Sequence, residues 1–164
     1  MKLSSAITLT ISGLLLAGAT YASTTSQVCQ GSITSGYTCG KGTISSLFSM
    51  GKLTMDGTVD QGYLTVLGKS EISNAQINGK ATLDGEFSAQ NDTFAGDMSL
   101  GTNKGVFIGS TTKDIVLTEG QNLYLQSATH VNGSITFNQG NGTVYVSGGS
   151  TISGKVNGGK IVNK

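Results

Sequence analysis

The chain has 164 residues, with 25 Gly, no Pro, no Trp and no Arg, and ten Lys against nine acidic residues leave a formal charge of +1. Arg is the preferred partner for bidentate contact with phosphate. Its absence, with no basic run, excludes nucleic acid as an expected partner.

The first 22 residues read as a secretory signal peptide. Lys2 supplies the positive start, an apolar run from Ala6 to Ala19 follows, and Thr20-Tyr21-Ala22 is a small-x-small cleavage pattern. The run is short for a membrane span and no stop-transfer stretch follows it, so no transmembrane segment is expected in the mature chain. A secreted, periplasmic or cell-surface location follows. Residues 23–50 read as an N-terminal capping segment holding the two cysteines, Cys29 and Cys39. An even cysteine count in an exported chain predicts one structural disulfide. Closing so short a loop adds about 3 kcal/mol in the chain-entropy picture. The spacing fits neither a redox C-x-x-C pair nor a zinc site.

From residue 51 to 164 one unit recurs: apolar, any, Gly, any, apolar. It stands at Met55–Val59, Ile77–Ala81, Phe94–Met98, Val131–Ile135 and Ile152–Val156. The Gly positions step by 22, 17, 37 and 21, and the long step hides a degenerate copy with Lys113 in the Gly place. Inside each unit the apolar residues alternate with polar ones, the mark of a half-buried strand. The Gly is placed on the inward phase, relieving crowding at a corner or supplying a positive φ. Strand-length units at a near-constant period of 17–22 residues predict an all-β, single-stranded parallel β-helix, a solenoid of stacked coils. The alternative is a β-sandwich whose Asn-Gly and Gly-Gly steps mark hairpins. Near-constant recurrence favours the solenoid, because a sandwich does not require it.

These short Gly-centred strands resemble the bactofilin type of polymer-forming β-helix over roughly residues 51–164. The resemblance implies a right-handed β-helix that can self-associate. Bactofilins are typically cytoplasmic scaffolds, and the leader here departs from that pattern.

No constellation predicts catalysis. His130 is the sole His and falls on an outward phase without a nucleophile motif around it. Asp84 and Glu86 lie two apart, so they are placed on one strand face, and Asp56 with Asp60 and Asp92 with Asp97 are further carboxylate pairs. Scattered acids without Arg point away from an enzyme, and no calcium-loop or zinc spacing implies a metal or cofactor. The sharpest pattern is aromatic. Aligning Ile108 with Leu125 and Leu125 with Val146 places Phe107, Tyr124 and Tyr145 outward on successive coils, as a ladder for sugar stacking or a protein interface. The repeat runs on through Val156, Ile161 and Val162 with no capping helix after it. An open edge of that kind predicts end-to-end assembly. The expected function is an exported, non-enzymatic structural or adhesive protein that partners itself. A carbohydrate-binding module using Phe107, Tyr124 and Tyr145 is the alternative.

Overall fold

The computed structural model describes residues 28–120 and 122–164. The expected leader, residues 1–22, lies outside them. The described residues are all-β and form a parallel β-solenoid of about seven turns. Each coil contributes one strand to each of three sheets. Sheet one has nine strands, from Cys29–Ser32 to Gly159–Asn163. Sheets two and three have seven each, opening with Gly42–Ile44 and Leu47–Ser49. No helix among the described residues is long and apolar enough to cross a membrane.

All pairings are parallel except the first, in which Cys29–Ser32 runs antiparallel to Gly36–Cys39. A disulfide joins Cys29 to Cys39 across that hairpin. The parallel coils begin at Gly36, pairing with Lys52. The stretch read as a capping segment, 23–50, therefore supplies the first coil as well as the hairpin that covers it. The expected boundary at residue 51 came too late because this coil lacks a full copy of the Gly-centred unit.

The inward columns make the core. In sheet one, Leu53, Ser70, Phe87, Gly105, Leu123 and Val144 stack in register, beside Met55, Ile72, Ala89, Phe107 and Leu125. Sheet three adds Leu64, Ala81, Met98, Ile115 and Ile135. These apolar residues are buried. Burying each Leu, Ile or Phe contributes about 1.5–3 kcal/mol.

In four of the five units the recurring Gly sits at the corner between sheets two and three, rather than on a strand face. Gly57 turns the one–two corner instead, and the counterpart of Gly79 in its coil is Gly62, which the Met55–Val59 unit misses. A Cβ on Gly79 would run into the carbonyl oxygen of Gly62, and one on Gly96 would meet that of Gly79. Backbones of successive coils therefore touch there, and only Gly fits. The degenerate copy departs from this. Met98 pairs with Ile115 and Leu100 with Leu117, as the period of 17 requires. Its corner, however, holds only Lys113 and Asp114 between Thr112 and Ile115, so no Gly place exists for Lys113 to fill. Asp114 instead lets its carboxylate accept the Ser134 N–H at 2.6 Å. We expect Gly79→Ala to destabilise the fold by about 1–3 kcal/mol through overpacking. An unchanged urea midpoint would show that the coils do not approach so closely.

Candidate functional site

The corner between sheets one and two carries a polar ladder that alternation alone does not reveal. Six successive coils turn there on a residue with positive φ: Gly57, Asn74, Asn91, Gly109, Ala128 and Gly149. Gly and Asn tolerate that conformation best. The next residues, Thr58, Ala75, Asp92, Ser110, Thr129 and Ser150, point inward and are buried. The backbone N–H groups of Ala75, Asp92, Ser110 and Thr129 each find their acceptor on the side chain at the same place in the following coil. Ala75 N–H donates to Asp92 Oδ1 at 2.7 Å, and Asp92 N–H donates to Ser110 Oγ at 3.1 Å. Ser110 N–H donates to Thr129 Oγ1 at 3.3 Å, and Thr129 N–H to Ser150 Oγ at 3.1 Å. The sequence signal was a Gly, Asn or Ala followed by a small residue, polar in five of the six coils.

Asp92 is the one carboxyl in this ladder and is 2% exposed. Its Oδ2 has no hydrogen-bond partner. Burial pushes its pKa up to about 7, against the opposing pull of N–H groups from Ala75 and Gln90. Asp60 resembles it. It occupies an inward place in sheet two, paired in register with Ile44 and Ile77. Its Oδ1 accepts the Gly62 N–H at 3.0 Å, its Oδ2 is unpartnered, and burial raises its pKa.

The expected carboxylate pairs are not brought together as pairs. Asp84 ends its strand in sheet three, and Glu86 lies around the next corner, ion-paired with Lys69 at 3.2 Å. Asp56 is exposed and accepts from Asn74 Nδ2 at 2.8 Å, whereas Asp60 is in the core. Asp92 is buried and Asp97 exposed. His130 is exposed, as expected, with Nδ1 at 2.8 Å from Thr151 Oγ1.

The aromatic ladder survives in two of its three rungs. Tyr124 pairs in register with Tyr145 on the outer face of sheet one, their rings 4.7 Å apart and 15° from parallel. That separation equals one strand spacing, so the rings are stacked along the solenoid axis. Phe107 is a correction. It is 0% exposed and packs edge-on against Phe87 at 4.9 Å and Phe94 at 6.0 Å. Phe107 pairs with Leu125, and Val106 with Tyr124. The step between these coils is therefore 18 residues, one more than the alignment assumed. A slip of one residue exchanges the two faces of a strand.

The surviving pair offers sugars little open ring face. The tyrosines cover each other's inner faces. Lys104 Nζ lies 5.3 Å from the Tyr124 centroid, and Lys164 Nζ lies 4.4 Å from that of Tyr145, as cation–π contacts. What reaches solvent is ring edge, hydroxyl and ammonium.

A third feature is the last coil. Leu123, Val144 and Ile161 occupy one inward column. The first two are 0% exposed and Ile161 is 50% exposed, because no further coil lies over it in the described residues. Ile152 and Val156 on the same coil are likewise only partly buried.

No protein-family model, no curated protein and no solved structure matches this chain. The structure itself defines its class, a disulfide-bearing parallel β-solenoid, an architecture compatible with a structural repeat protein.

Proposed function

We propose that this chain is an exported, non-enzymatic structural protein that joins copies of itself end to end. The observation that carries the reading is the exposed core cross-section at the last coil, where Ile161 is half-exposed in a column that is buried from Leu53 to Val144. A coil of a second copy is the surface that best complements it, since it supplies both apolar residues and strand edges.

Charge supports a head-to-tail order. Residues 28–119 hold nine acidic residues and six Lys, a formal −3, whereas residues 120–164 hold three Lys and no acid, a formal +3. Like ends repel and unlike ends attract. Head-to-tail contacts that do not close by rotation give open filaments rather than dimers. The Cys29–Cys39 disulfide fits an oxidising, exported setting. The disulfide hairpin stiffens the first coil, the other partner in such a contact.

Sedimentation velocity over a concentration series tests this. We expect the wild-type chain to grow in size with concentration and Ile161→Lys to shift that growth to higher concentration by about tenfold or more, equivalent to about 1.4 kcal/mol. A strictly monomeric wild-type protein at high concentration would contradict the reading.

The alternative, a carbohydrate-binding module resting on the tyrosine ladder, has less support in the geometry. Tyr124 and Tyr145 stack on each other and under lysines, an arrangement that stabilises sheet one without a ligand.

A further inference from the structure

The corner between sheets three and one lengthens along the solenoid. Three residues separate Val66 from Ser70 and Leu83 from Phe87, the inward positions that flank it. Four separate Leu100 from Gly105, five separate Leu117 from Leu123, and six separate Phe137 from Val144. In the first widened corner Thr102 turns inward, and Asn103 and Lys104 stand exposed. Where the corner first widens, Asn103 and Lys104 form a wall beside the narrower corners that carry Lys69 and Glu86. The result is an open groove of about 540 Å³ on sheet one.

Its lining alternates donors and acceptors. Glu71 binds Lys52 at 2.7 Å and Lys69 at 3.1 Å, and Lys69 also reaches Glu86 at 3.2 Å. All four side chains are more than a third exposed. Ion pairs that open to water are worth little, so their donors and acceptors can be exchanged for ligand hydroxyls at small cost. Lys104 differs from the other two lysines: it has no carboxylate partner among the described residues. Its ammonium stands between the groove and the Tyr124 ring. The floor is half-apolar, with Val106 partly exposed above the buried ring of Phe87.

We propose that this groove binds a linear oligosaccharide bearing carboxylates, of the uronate class. Sugar hydroxyls donate to Glu71 and Glu86 and accept from Lys69 and the Asn103 amide. A sugar carboxylate pairs with Lys104, and the apolar face of one ring rests on Val106. From Glu71 through Ser88 to Val106 the outer positions that line the groove follow one another at a strand spacing, about 10 Å in all. That length fits a short oligosaccharide lying along the solenoid axis. The site is separate from the coil end and does not rest on self-association.

Calorimetric titration with tetragalacturonate, cellotetraose and tetraglutamate tests it. Tetragalacturonate is expected to bind at least about tenfold more tightly than either of the others, equivalent to about 1.4 kcal/mol. Lys104→Ala should erase the difference between the two sugars, and Asn103→Ala should weaken both. Both side chains are exposed, so the variants should fold. Lys104→Gln, which keeps the length of the side chain without its charge, is the substitute if Lys104→Ala does not. No binding of any probe at millimolar concentration would overturn the site. Tetraglutamate binding as well as tetragalacturonate would overturn the sugar class. A sugar preference unchanged in the Lys104 variant would overturn the assignment of the cation.

Discussion

Replacing Phe107 with Ala is expected to cost about 3–5 kcal/mol of stability. Phe107 is fully buried and completes an edge-to-face trio with Phe87 and Phe94. Truncation leaves a void in the middle coils, where neighbours on both sides hold the backbone in register. Relaxation into the void is therefore limited. Tyr124→Ala, which removes one half-buried rung of the outer ladder, should cost clearly less, because paired rings contribute about 0.5–1.5 kcal/mol beyond their buried area. Urea unfolding of the two variants ranks them. A Phe107 variant as stable as the wild type would mean that the strand Lys104–Ile108 presents its other face to the core.

The second large effect concerns pH. Asp92 has a pKa of about 7 in the folded protein, raised by burial above its ordinary 3.8. Between those values the folded state holds a proton that the unfolded chain has lost. Stability is then greatest below about pH 4 as far as this group is concerned, and it falls as pH rises toward 7. Three pKa units correspond to at most about 4 kcal/mol. Burial also raises the pKa of Asp60, which adds to the slope in the same direction. Asp56 and Glu71 act oppositely. Hydrogen bonds from Asn74 and Ser73 lower the pKa of Asp56, and Lys52 and Lys69 lower that of Glu71, so both lose their contribution as pH falls below the usual carboxylate range. The wild-type protein should thus be more stable at pH 5 than at pH 8, by chemical denaturation at each pH. Asp92→Ser should keep the ladder, since Ser110 and Ser150 use their Oγ in the same way, and should remove most of the slope. A wild-type stability that rises from pH 5 to 8 would contradict a buried carboxyl whose Oδ2 has no partner.

Asp92 also marks where sequence pattern stops being sufficient. Alternation of apolar and polar residues locates the strands, and recurrence of Ile77–Ala81, Phe94–Met98 and their kin locates the coils, because both follow from stacking in register, whereas Met55–Val59 spans a different corner. The corners obey another rule. At the one–two corner the chain needs a positive φ and then, at Asp92, Ser110, Thr129 and Ser150, an inward oxygen for the neighbouring coil's N–H, so polar Asp92 and Thr129 are buried where their polarity alone reads as surface. Phe107 was misplaced for a related reason. Coil length changes at the three–one corner, and a constant offset carried across that change moves every side chain to the wrong face. The tyrosine pair escaped because the alignment of Leu123 with Val144 spans the lengthened corner with its true step of 21 residues. The groove was not legible at all. It arises from a one-residue difference between adjacent corners, which leaves no motif in the chain.

Whether the coil ends stack is the point on which the functional account turns. Electron microscopy of concentrated wild-type protein tests it most directly. Nine strands of sheet one at the strand spacing give an axial length of about 43 Å per molecule. We expect filaments with that axial repeat, and their loss in Ile161→Lys. Discrete single particles, or filaments whose width rather than axis accommodates added copies, would contradict end-to-end assembly.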